Sequence, residues 1–168
     1  MSSQYGQNSV YVEFCEARLK IALSWSEKSS KIRNIKISFG RRQTKKSDSS
    51  NQSESIRLSV ERFLNGKLAK LPLDYLDMKQ FSVFEKDILM TLRSKVRRGA
   101  TVSYSELANL AGYPGSARAV GNLMKKNPYP LFFPCHRVTR ADSIGEFSGG
   151  GGVKLKRMLL KAEGLCFE

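Results

Sequence analysis

A cysteine followed at once by a histidine and an arginine, Cys135-His136-Arg137, is the group in this chain best equipped for chemistry. A thiol is a strong nucleophile only as the thiolate, and a neighbouring base or cation favours that form. His136 is the sole histidine in the sequence, so a proton leaving Cys135 for an imidazole has one destination. The run Asn127-Pro128-Tyr129-Pro130-Leu131-Phe132-Phe133-Pro134 leads into the triplet. Proline fixes φ and has no amide donor, so Pro134 sets Cys135 on stiff, non-helical backbone. Leu131, Phe132 and Phe133 are expected to bury that backbone. A free thiol is also often buried for packing alone, and the bare triplet by itself favours that plainer reading.

The elements around the triplet must therefore be read. Val10, Val12 and Phe14, then Leu19 to Trp25, then Ile35, Ile37 and Phe39 alternate with polar or small residues. Period two over three runs predicts three strands, antiparallel, with Cys15 a strand residue without chemistry. Gly40 to Glu54 is polar, Ser-rich and basic, and reads as a loop. Its Arg41, Arg42, Lys45 and Lys46 suit a phosphate backbone, a nuclear address or plain solvation. Ile56, Val60, Phe63 and Leu64 then share a helical face that Gly66 can end. Leu71 to Tyr75 reads as a connector.

From Phe81 the period becomes helical. Ser82 with Glu85 and Ser103 with Glu106 each fit a capping box. The first helix carries Phe84, Ile88, Leu89 and Leu92 on one stripe. Arg93, Lys95, Arg97 and Arg98 follow where they suit its dipole, before Gly99. The second is short, Ser105 to Ala111. Gly112, Pro114 and Gly115 turn the chain, and Ser116 is placed to cap a third helix to about Lys126. Two short helices about a glycine turn fit a helix-turn-helix. On the third helix Val120, Leu123 and Met124 point to one side, and Arg118, Asn122 and Lys125 to the other. Ala117, Ala119 and Gly121 are small, although a mid-helix glycine costs about 1 kcal/mol. A small-residue face with one projecting arginine suits a helix laid in a narrow groove, Arg118 reaching among bases. Close helix packing with Arg118 in an ion pair is the plainer alternative. Ile144 to Gly152 ends in four glycines but holds no G-x-G-x-x-G between strand and helix. Leu155, Met158, Leu159 and Ala162 form the apolar face of a last helix. Glu163 closes it, where the dipole disfavours an acid; that penalty hints at a job such as orienting His136.

Composition narrows the class. The chain of 168 residues is sized for one ordinary domain or two small ones. Its net charge of +14 is shared evenly, with 15 basic against 8 acidic residues up to position 80 and 14 against 7 after it. A basic charge on both halves points to a polyanion, nucleic acid before membrane. Three scattered cysteines without C-x-x-C argue against a disulfide scaffold and for a reducing compartment. One histidine excludes a His-rich zinc site. No apolar run is long enough to span a membrane, and no apolar segment follows Met1-Ser2-Ser3-Gln4. A soluble intracellular protein is expected.

Pro134-Cys135-His136-Arg137-Val138 resembles the active-site signature of the O6-alkylguanine-DNA alkyltransferases, the methylated-DNA–protein-cysteine methyltransferases. Ser103-Tyr104, Ala117-Arg118-Ala119-Val120-Gly121, Asn127-Pro128, Phe147-Ser148-Gly149-Gly150 and Glu163-Gly164 match in family order. The matches run from Phe81 to Gly164; residues 1–80 match only in type. The resemblance implies an α+β fold. A small N-terminal antiparallel α/β roll (RNase H-like) over 1–78 would precede a mostly helical, winged-helix-like C-terminal domain with a helix-turn-helix over 79–168.

The resemblance also implies a reaction. Double-stranded DNA carrying O6-alkylguanine would be held through its minor groove and the lesion flipped out. Arg118 would fill the gap, with Ala117, Gly121, Lys125 and Tyr104 also on the DNA. Cys135 would take the alkyl group as a stable thioether, once per molecule. His136 would act as base through a water, oriented by Glu163. Asn127 would be the hinge between recognition helix and active-site strand. Tyr104, Met124, Val138, Phe147 and Ser148 would bound the guanine pocket. No cofactor and no metal are expected. The protein would be a monomer without a membrane partner, cytoplasmic and nucleoid-associated, or nuclear in a eukaryote. Phe147 stands where tyrosine is common, and four glycines from Gly149 exceed the usual pair. The family's relatives without alkyl transfer usually carry tryptophan in place of the cysteine. Two rivals follow: a cysteine hydrolase, awkward because the one histidine adjoins Cys135, and a non-enzymatic helix-turn-helix protein that only binds damaged DNA.

Overall fold

The structure, a computed structural model, describes residues 7–14, 17–26, 31–40, 51–66 and 72–167. The chain divides between Asp77 and Met78 into two units.

In the first unit the alternating runs form β1 (Gln7–Phe14), β2 (Ala17–Trp25) and β3 (Ile32–Phe39), an antiparallel sheet in sequence order. Pairing sets Val12 opposite Leu19, Ile21 opposite Ile37 and Leu23 opposite Ile35. Because side chains alternate faces, this register gathers the apolar set on one side, and all six are buried. Helix α1 (Asn51–Leu64) packs against β1 and buries Ile56, Val60 and Leu64. It begins at Asn51, so the last four residues of the expected loop are helical. Charge supports that first turn: Glu54 suits the positive helix end and pairs with Arg57 at 2.7 Å, which reaches Glu61 at 2.9 Å. Gly66, at φ 75°, takes the left-handed turn just past the end. Cys15, the basic residues 41–46 and Leu71 lie outside the described residues.

The second unit holds α2 (Val83–Lys95), β4 (Val102–Ser103), α3 (Tyr104–Leu110), α4 (Ala117–Lys126), β5 (Val138–Thr139) and α5 (Gly152–Ala162). Both capping boxes are formed, Ser82 with Glu85 and Ser103 with Glu106. Ser116 makes no side-chain cap on α4; its ψ of 20° departs from the extended backbone that a capping side chain needs. Helix α2 stops at Lys95, short of Arg97 and Arg98. Arg98 instead donates to the Ala162 carbonyl and satisfies the end of α5.

Strands β4 and β5 pair in parallel, Val102 with Val138 and Ser103 with Thr139. They tie the start of α3 to the residues after the Cys-His-Arg triplet. In the same unit Ile88, Leu89, Leu107, Val120, Leu155 and Phe133 are fully buried, each contributing about 1.5–3 kcal/mol by removal from water. The buried face of α5 is Leu155, Lys156, Leu159 and Leu160. The expected face erred at both edges: Met158 is only half-buried, and a lysine is taken inside.

Candidate active site

The segment from Asn127 to Pro134 is a clasp built on a strained turn. Leu131 is 2% exposed and sits at φ 73°, a region costing a non-glycine residue about 1–3 kcal/mol. Asn127 holds the turn from inside. Its Nδ2 donates to the Phe133 carbonyl at 2.9 Å, and its Oδ1 accepts from the Tyr129 amide at 3.0 Å. Arg93 donates to the Phe132 carbonyl at 2.9 Å, a tie from α2 that the sequence reading assigned only to the helix dipole. Phe81 packs edge-on against Tyr129 and Phe133, with ring centroids 5.8 and 6.5 Å away. The clasp delivers Cys135 at the start of a 3-10 turn, Cys135–Arg137, behind Pro134.

All three residues of that turn are buried. His136 Nε2 lies 2.9 Å from Glu163 Oε1. An ionised carboxylate only accepts, so Nε2 carries the hydrogen and donates. Arg137 donates to the same carboxylate through Nε at 2.9 Å and Nη2 at 2.9 Å, and through Nη1 to the Val96 carbonyl at 2.8 Å. The Gly99 amide donates to Glu163 Oε2 at 3.2 Å. Gly99 must be glycine: its φ is 76°, and a Cβ there would come within 3.2 Å of the Glu163 carbonyl oxygen.

These contacts set the protonation states. Burial would raise the Glu163 carboxyl, but the hydrogen bonds and charges of His136 and Arg137 outweigh it and bring the pKa to about 2. Burial pushes His136 below its ordinary value; Glu163 opposes this, while Arg137 and Lys156 add to it. The imidazole is therefore neutral near pH 7, with Nε2 protonated and Nδ1 left as the acceptor. Burial pushes the Cys135 thiol up. Against that stand a hydrogen bond from Asn127, the positive charge of Lys156 and the amides of Cys135 and His136. At rest the sulfur keeps its proton, beside groups that would hold the thiolate once the proton leaves.

Cys135 opens on a cavity of about 220 Å³ lined also by Tyr104, Gly121, Met124, Lys125, Glu146, Phe147 and Ser148. Tyr104 comes from the first turn of α3, and Met124 from the inward face of α4. Burial raises the Tyr104 phenol; Arg140 opposes that, and Cys135 and Glu146 reinforce it. Phe147 folds its ring over Gly149, where an added Cβ would lie 2.4 Å from a ring carbon. The glycine run is thus needed at least at Gly149.

Of the residues named from sequence, Cys135, His136 and Glu163 meet through hydrogen bonds or chain adjacency, and Asn127 joins them. Tyr104, Met124, Phe147 and Ser148 share the cavity. Val138, expected in the pocket wall, does not line it. As the first residue of β5 it is buried, and its carbonyl is turned to Lys156. Gly121 and Lys125, expected on the DNA face, do line the cavity, with the Gly121 backbone against the Tyr104 ring. Arg118 is exposed on the outer face of α4, and Ala117 is half-buried at its start. Glu146, Lys156 and Arg93 were missed. The cation within an apolar helical period was the available signal for Lys156.

Comparison with known proteins agrees with this architecture. Residues 83–165 match the family model "6-O-methylguanine DNA methyltransferase, DNA binding domain". The chain is 47% identical over 96 residues to the mouse methylated-DNA–protein-cysteine methyltransferase, covering 56% of this chain and 45% of that protein. It is 40% identical over 112 residues to the protein of that name from Methanothermobacter thermautotrophicus, covering 66% and 60%. The chain thus spans about half the length of the first of these curated relatives. Among solved structures, the O6-methylguanine-DNA methyltransferase of Pyrococcus kodakaraensis strain KOD1 matches with a TM-score of 0.77 at 27% identity, over 95% of this chain and all of that one. Mycobacterium tuberculosis OGT in complex with DNA matches with a TM-score of 0.67 at 28% identity, over 86% of each chain. An α+β chain with this clasp and this triplet is thus similar, through its residues 83–165, to the 6-O-methylguanine DNA methyltransferase DNA-binding domain.

Proposed function

We propose that this protein repairs DNA by direct reversal, moving the alkyl group of O6-alkylguanine onto Cys135 in a single turnover. One observation carries the reading. A buried Cys135, next to a neutral His136 held by Glu163, faces a cavity whose walls come from both helices of the helix-turn-helix pair. A buried thiol with a raised pKa needs a base, and His136 Nδ1 is the acceptor at hand. The thiol proton passes through a water to His136. Sγ attacks the alkyl carbon, the carbon–O6 bond breaks with its electron pair going to the base, and in sum the released guanine gains the proton. The thioether has no easy leaving reaction, so each molecule acts once.

Cys135 is buried at the cavity, away from the surface that a stacked duplex base could reach, which supports base flipping. Tyr104, Met124, Phe147 and Ser148 would hold the flipped guanine. Arg118, Lys125 and the small residues Ala117 and Gly121 would meet the minor groove. On this reading the N-terminal unit is an RNase H-like roll and the C-terminal unit a winged-helix-like domain, acting as a monomer. A purely DNA-binding protein would have no need of the Cys135–His136–Glu163 set.

Incubation with a duplex containing one O6-methylguanine, followed by nucleoside chromatography, tests the proposal. The modified base should vanish in proportion to protein added, with guanine in its place. Loss of the lesion through strand cleavage or base excision would refute it. Arg118→Ala should slow repair of the duplex lesion about tenfold, roughly 1.4 kcal/mol at the barrier. The free base O6-methylguanine should react at the unaltered rate, and equal slowing on both substrates would remove Arg118 from the duplex role.

A further inference from the structure

Lys156 is the one lysine buried among the described residues, 1% exposed in the apolar face of α5. An isolated ammonium inside a core is expensive unless it is hydrogen-bonded. Here Nζ donates to the Val138 carbonyl at 2.7 Å and to the Glu146 carbonyl at 3.3 Å. Val138 follows the Cys135–Arg137 turn directly, and Glu146 lies on the cavity wall. One side chain therefore ties the backbone carrying the nucleophile to the loop that carries Phe147 and Ser148.

We propose that Lys156 is a positioning residue for the alkyl-accepting thiol. It fixes the loop wall against the Cys135 segment and sets a cation beside the sulfur, a role that rests on the alkyl-transfer reading above. The electrostatics agree. The positive charge of Lys156 lowers the Cys135 thiol against its burial, and Cys135 in turn favours the ammonium. Burial nevertheless brings Lys156 down to about 8. The other titratable side chains in this surrounding are His136, which the ammonium helps keep neutral, Arg137 and Glu163 beyond it, and Tyr104, Lys125 and Glu146 on the cavity wall beside Cys135.

The test compares wild type with Lys156→Met, which keeps the length and apolar bulk of the stem. Two rates are followed from pH 6.5 to 9.5: methyl uptake from the duplex, and alkylation of Cys135 by iodoacetamide, located by peptide mass mapping. Lys156→Met should lower both rates at pH 7 by about tenfold and shift the iodoacetamide profile of Cys135 to higher pH. Its melting temperature should fall, because the Val138 and Glu146 carbonyls lose their donor, so both rates are read per folded molecule. Rates that fall only in step with lost folded protein, or an unshifted profile, overturn the proposal. Wild type that alkylates with iodoacetamide yet takes up no methyl would sink the repair reading instead. A variant that does not fold leaves a measurement on the native chain. With ¹³C-labelled lysine, one ammonium should titrate near pH 8 and move its midpoint when Cys135 is replaced by alanine. A midpoint indifferent to Cys135 also overturns the proposal.

Discussion

Glu163→Gln is expected to cripple alkyl transfer and to weaken the fold together. The wild-type carboxylate accepts from His136, from two nitrogens of Arg137 and from the Gly99 amide, with its side chain only 2% exposed. A neutral amide keeps the volume but leaves the Arg137 guanidinium buried without its counter-charge. Breaking a buried pair in this way costs about 3–5 kcal/mol. His136 also loses the acceptor that fixes its tautomer, and removal of a positioned base typically costs a factor of about 10²–10⁴. The pH dependence separates this from general damage. The folded Glu163 pKa, about 2, lies below the ordinary 4.5, so its stabilisation is whole above 4.5 and is lost as pH falls toward 2. His136 is likewise depressed below its ordinary 6.5, and the folded state resists the proton that the unfolded chain accepts. Both groups weaken the wild type in acid, His136 first. Urea unfolding at pH 7, 5 and 3.5 should show a large gap between wild type and Glu163→Gln at pH 7 and 5 that narrows at 3.5. A constant gap would mean that the carboxylate charge is not what holds the site.

The second large effect is Cys135→Ser. A hydroxyl is a far weaker nucleophile than a thiolate, and His136 alone does not activate it to the same degree. The variant should acquire no detectable methyl group while binding lesion-bearing duplex within about threefold of wild type, roughly 0.6 kcal/mol. The two side chains are close in size, and the cavity walls come from other residues. Methyl uptake by the serine variant, measured by intact mass, would show that another residue is the acceptor.

The parts of this site that could be read from sequence are those with local physics. Three period-two runs gave three antiparallel strands because alternation is a property of the strand itself. Ser82 with Glu85 and Ser103 with Glu106 gave two helix starts because a capping box closes within four residues. Glu163 stood out because an acid at a helix end is locally unfavourable. The β4–β5 pair did not stand out, since two residues per strand are too few to alternate. Val138 stands at the head of β5 with its carbonyl on Lys156, a placement that only the strand pair sets. The ties from Arg93 to Phe132 and from Arg98 to Ala162 span 39 and 64 residues. In sequence those arginines look like helix-end charge. Lys156 fell where the helical period asks for an apolar residue, and only its two carbonyl partners show why a lysine is tolerated there.

Methyl stoichiometry measured by peptide mapping, after exposure to excess duplex carrying O6-methylguanine, tests the account most directly. Uptake should plateau at one methyl per chain, confined to the Cys135 peptide, with Cys15 and Cys166 unmodified. Continued loss of lesion beyond one equivalent, or a plateau with the Cys135 peptide unmodified, would contradict it.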